Sequence, residues 1–160
     1  MTRTSKILWL AAGTLAFTLL SGLMLSVGIM TPLVPMPMHQ VLLAWIFGYG
    51  FIIVLPLCYL LSLPLLWRLK AFGNIVIFAA LILASLSVVW FSSSWEYGQK
   101  YQGLVHTRVV AIENGIGIAA VLFLAIIGLV RQSLHLQTAA YFLIFVMLSW
   151  CAFPYLGELP

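Results

Sequence analysis

Glu113 is the one carboxylate that falls inside a long apolar run of this sequence, and His106 stands seven positions before it. Seven residues are close to two helical turns. A helix reaching back to His106 would put both side chains on one face, about 10 Å apart along its axis. An ionisable group inside hydrocarbon is costly enough to be a functional candidate by itself. Asn114 adjoins Glu113, and the topology derived below brings His39, Gln40, Glu96, Tyr97 and Tyr101 to the same end of the molecule. His106, Glu113, Asn114, His39 and Glu96 therefore make up the candidate polar site.

Three chemistries suit these residue types. His39, Glu96, His106 and Glu113 are ligands that zinc or non-haem iron would accept. His39 and His106 could serve as axial ligands of a haem. A quinone or a lipid substrate could lie among Trp90, Trp95, Tyr97 and Tyr101. The spacing is diagnostic of none of them. There is no H-E-x-x-H, Cys/His cluster, phosphate loop, dinucleotide fingerprint or nucleophile motif, so no metal, cofactor or catalytic residue is assigned. The plainer reading of Glu113 is a carboxylate near a helix N-terminus, favoured by the dipole and partnered by Arg108 or Lys100. The aromatic residues are equally well explained as a membrane-interface belt, and His39 and His106 as residues at the water boundary.

The elements that would position these residues follow from composition. The 160 residues are 64% hydrophobic and only 6% charged. Soluble domains hold roughly 45–50% apolar and about 25% charged residues. So few charges cannot cover a soluble surface, whereas lipid solvates an apolar exterior directly. A net charge of +4 spread along the chain forms no basic stripe, which argues against a nucleic-acid partner. No linker, low-complexity tail or internal repeat divides the sequence, so one domain, 1–160, is expected.

Five apolar segments stand out, at 7–30, 41–66, 75–92, 109–130 and 138–154. About 20 helical residues cross a bilayer core of about 30 Å. The expected fold is an all-α integral membrane protein, a five-helix transmembrane bundle whose short fifth segment either spans or enters only in part. The first segment follows Arg3 and Lys6, as a signal peptide would. Its apolar run exceeds a typical h-region and no A-x-A site follows, so it reads as a retained helix.

Lys and Arg set the orientation. With the N-terminus cytoplasmic, Arg3, Lys6, Arg68, Lys70 and Arg131 lie inside, while only Lys100 and Arg108 lie outside. That asymmetry fits the positive-inside rule for an inner (plasma) membrane and places the C-terminus outside. Trp9, Trp67, Trp90, Trp95, Trp150 and Tyr155 fall near the segment ends, where a ring with one polar edge is best accommodated.

Small residues mark where helices could approach closely. Ala111, Gly115 and Ala119 repeat every four residues in the fourth segment, the clearest such stripe, and are expected at the bundle centre. Pro56 and Pro64 fall within the second segment, and Pro56 is expected to kink it. Cys58 and Cys151 fall in different halves of the bilayer and read as separate buried hydrophobes rather than a disulfide.

The functional expectation is a non-catalytic accessory or subunit of a membrane assembly, in contact with the bilayer and with a membrane-protein partner or further copies of itself. One alternative is a redox or lipid-active protein with a pocket around His106 and Glu113 that holds a quinone, haem or metal. Another is a permeation protein for small solutes, disfavoured because so few polar groups are available to line a path.

Overall fold

A computed structural model describes residues 1–30, 53–101 and 103–151. Among them every regular element is an α-helix: α1 Arg3–Met30, α2 Ile53–Leu66, α3 Phe72–Tyr101, α4 Leu104–Val130 and α5 Leu134–Cys151. Three stretches, Arg3–Gly22, Phe72–Val89 and Thr107–Val130, are long and apolar enough to cross a membrane. Two shorter apolar helices, Ile53–Leu66 and Leu134–Ser149, accompany them. The expected segment parts at 41–52 and 152–154 lie outside the described residues.

Two helices run further than their apolar segments. The expected 75–92 becomes Phe72–Tyr101, and the expected 109–130 becomes Leu104–Val130. Hydropathy ends where Ser92, Ser93 and Ser94 begin, but the backbone keeps its helical hydrogen bonds through Glu96 and Lys100. The break comes at Gly103, with φ of 86°, a conformation that a side chain would strain. Gly103 then gives its carbonyl to the Thr107 N–H at 3.1 Å and the Thr107 hydroxyl at 3.0 Å, starting α4. The connection between the third and fourth segments is thus a tight helical hairpin.

The described helices fall into two compact units, one with α1, α2 and the end of α5 from Leu148, the other spanning residues 69–147. In the first, Gly13, Phe17 and Ser21 form a buried row along α1, and Pro56, Tyr59 and Leu63 are buried on α2. Four-residue steps keep such a row on one helical face. The Tyr59 ring fills the space where a side chain at Gly13 would stand, since a Cβ there would lie 2.5 Å from Cζ. Its hydroxyl donates to the Trp9 carbonyl at 3.1 Å, and Phe17 meets the ring edge-on at 4.9 Å between centroids. Ala12 is exposed, so the glycine rather than the alanine of this stretch makes the close approach.

In the second unit α3 and α4 pack along a seam. Phe72, Val76, Ala80, Leu83 and Ser87 are buried on α3; Thr107, Val110, Asn114, Val121, Ala125 and Gly128 are buried on α4. Steps of three, four and seven residues keep such positions on one side of a helix. α5 joins at the other end. The α4 terminus closes with the Gln132 N–H on the Leu129 carbonyl and the Ser133 N–H on the Gly128 carbonyl. This is a Schellman closure with Gln132 at φ 50°, where glycine is usual. The chain is thereby turned back so that Gln137 lies against α4, and its amide donates to the Gly128 carbonyl at 3.1 Å. A Cβ at Gly128 would sit 2.9 Å from the Gln137 backbone nitrogen, and one at Gly73 would sit 2.9 Å from its side-chain nitrogen. Two glycines and one glutamine thus draw three helices together. Phe72 and Tyr141 (6.1 Å, edge-on) and Tyr141 and Phe145 (5.1 Å) extend the contact.

Candidate functional site

Because α4 begins at Leu104, His106 and Glu113 do belong to one helix. Glu113 is exposed. Its neighbours along that side are Val109 and Ile116, respectively 45% and 66% exposed, so the carboxylate leaves the helix through an apolar surface. Among the described residues Glu113 makes no hydrogen bond or ion pair. Arg108, exposed on α4, is five residues away and therefore about 140° around the helix.

Asn114 takes the opposite direction. It is 2% exposed, and its amide donates to the Val110 carbonyl at 2.9 Å. One residue along a helix is a rotation of about 100°, enough to put the amide in the α3–α4 seam and the carboxylate outside it. The two do not share a pocket. Glu96 is exposed on the last turns of α3, with Lys100 one turn later on the same side. His39 and the side chains of His106, Trp90, Tyr97 and Tyr101 lie outside the described residues. Among the described residues no three His, Cys, Asp or Glu side chains gather as a metal would require.

Within its own unit the small-residue stripe makes no close approach. A Cβ at Gly115 would meet nothing within 4 Å. Ala119 is exposed and Ala111 half-buried. The close approach is made instead by Gly117, where a Cβ would come within 2.7 Å of the Met147 methyl on α5. The physical reason is rotational: α4 is rich in small residues on more than one side, and four-residue spacing does not say which side faces a neighbour. The seam was present in the sequence as Thr107, Val110, Asn114 and Val121. Gly73, Gly128 and Gln137, which tie α3, α4 and α5 together, carry no signal beyond being small or polar near helix ends.

Comparison of the chain with known protein families, curated proteins and solved structures finds no match. The function is therefore argued from the α4 surface itself. Glu113, Gly115 and Ala119 lie on the parts of α4 that its own unit leaves uncovered.

Proposed function

We propose that this is a multi-pass protein of an inner (plasma) membrane, with five transmembrane helices, and that it serves as a non-catalytic accessory or subunit of a membrane assembly. The observation that carries this reading is the outward Glu113 on an apolar face of α4. An ionised carboxylate in lipid is unfavourable unless a cation or water meets it. Gly115 beside it offers open space, so another helix could come near the α4 backbone. A second copy docked in parallel on this face would set carboxylate against carboxylate, which like-charge repulsion opposes. A different membrane helix bearing Lys or Arg answers both the charge and the space.

Purified from its own membrane in mild detergent, the wild-type chain should carry a stoichiometric membrane-protein partner. Glu113→Lys should lose that partner while its own unfolding free energy stays within about 1 kcal/mol of wild type, the range for exposed charges. A partner retained by Glu113→Lys would remove this face from the interaction. A solitary wild-type chain carrying an absorbing chromophore would replace the accessory reading with a redox one.

The same proposal places the N-terminus in the cytoplasm and the C-terminus outside, from the distribution of Lys and Arg. Reporters fused after Lys70, Lys100, Arg131 and Pro160 should register inside, outside, inside and outside. A cytoplasmic signal at Pro160 alone would mean that the fifth segment does not span. Reversed signals at Lys70 and Lys100 would overturn the orientation.

A further inference from the structure

We propose that the α1–α2 unit binds the headgroup phosphate of an anionic phospholipid where α1 begins and α2 ends. The Lys6 ammonium lies 5.4 Å from the centre of the Trp67 ring, a cation–π distance that brings the two helix ends together. Arg3 precedes Lys6 by one helical turn and so lies on the same side of α1. Arg68 follows Trp67 directly. Both arginines are exposed. Lys6 thus meets the Trp67 ring, with Arg3 one turn away on the same side of α1 and Arg68 next along the chain from the ring.

Nothing nearby in the sequence neutralises them. The first carboxylate of the chain is Glu96, so no acid accompanies these cations in residues 1–95. Among the described residues none of the three forms an ion pair. Arginine guanidinium groups match phosphate oxygens in pairs, and the lysine adds a point charge. The indole ring suits the headgroup level, where one edge can be wet and the rest apolar.

A lipid fits better than free phosphate because the cations are bordered by apolar side chains. Ile7 and Leu8 of α1 are 56% and 64% exposed, and Leu61 and Leu65 of α2 are 65% and 61% exposed. They offer an acyl chain a bed beside its phosphate, which inorganic phosphate would not use. The inference depends on neither the accessory role nor the orientation proposed above, only on the α1–α2 pairing.

The test uses the full chain in detergent, titrated with phosphatidylglycerol, with phosphatidylcholine or with inorganic phosphate, and bound lipid counted by native mass spectrometry. Phosphatidylglycerol should bind at least tenfold more tightly than phosphatidylcholine. Arg3→Gln and Arg68→Gln, both at exposed positions, should each weaken phosphatidylglycerol about fivefold, the factor matching about 1 kcal/mol per basic residue near a lipid surface. The double variant should lose the preference, and Lys100→Gln should keep it. Equal binding of the two lipids, or a preference that survives the double variant, would overturn the site. An equal loss in Lys100→Gln would show a diffuse charge effect in its place. Displacement of phosphatidylglycerol by inorganic phosphate at comparable concentration would overturn the lipid assignment.

Discussion

Replacing Tyr59 by alanine should destabilise the α1–α2 pairing by about 3 kcal/mol, the low end for loss of a large buried aromatic ring. Tyr59 is wholly buried, fills the space beside Gly13, bonds the Trp9 carbonyl and contacts Phe17. Truncation leaves a space between two helices that acyl chains, held parallel to the helix axes, cannot enter without separating them. Tyr59→Phe keeps the ring and loses only the hydroxyl. It should cost about 1 kcal/mol, the net worth of one hydrogen bond. The Trp9 carbonyl is not orphaned by this change, because it belongs to the helical ladder of α1 as well. Thermal or denaturant unfolding in detergent would measure both variants. A phenylalanine variant as damaged as the alanine variant would shift the weight of the contact from ring packing to the hydroxyl. An alanine variant that melts with wild type would mean that Tyr59 does not join these helices.

Two alanine substitutions in α4 should act in opposite directions. Gly128→Ala should destabilise the α3–α4–α5 unit by about 1 kcal/mol net, while Gly115→Ala should be neutral or stabilise it by up to about 1 kcal/mol. In a helix interior alanine is favoured over glycine by about 1 kcal/mol. At Gly115 nothing opposes that gain, since the new methyl group meets open space. At Gly128 the methyl group would come within 2.9 Å of the Gln137 backbone nitrogen and 3.2 Å of the Leu136 carbonyl carbon. Those atoms belong to a helix and cannot move singly, so the clash costs on the order of the 1–3 kcal/mol seen for overpacked sites. Gly117→Ala meets only the flexible end of Met147 and should fall between the two. Melting curves on the three variants would rank the contacts. A stabilised Gly128→Ala would mean that α5 does not approach α4 as closely as described.

The helical class was legible because the cause is global: 6% charge leaves no way to build a soluble exterior. The ends of α3 and α4 were less legible. Apolar counting locates hydrocarbon, whereas helix length is set by backbone hydrogen bonds and, here, by Gly103. Facing was the least legible feature. Glu113 and Asn114 are adjacent letters, and only the packing of α3 on α4 reveals that one turns outward and the other inward. Ala111, Gly115 and Ala119 formed a regular stripe, yet the contact is made two residues away from its centre, at Gly117. In a protein whose every side is apolar, the contrast between wet and dry faces that identifies a buried helix face in soluble proteins is missing. The Tyr59–Gly13 contact was hidden for a different reason, since it joins residues on separate helices that no short motif links.

The unbroken length of α3 has a mechanical consequence. Thirty residues at about 1.5 Å each make a rod of about 45 Å, longer than a hydrocarbon core of about 30 Å. Within a membrane, the turns that carry Glu96 and Lys100 would stand clear of the acyl chains as a short, stiff post, held upright by the start of α4. A rod that cannot shorten meets a thinner bilayer by leaning or by drawing the lipid up around itself. The height and inclination of the post would then report the thickness of the surrounding membrane, and its tip would stand at a level set by the lipid rather than by the slack of a loop.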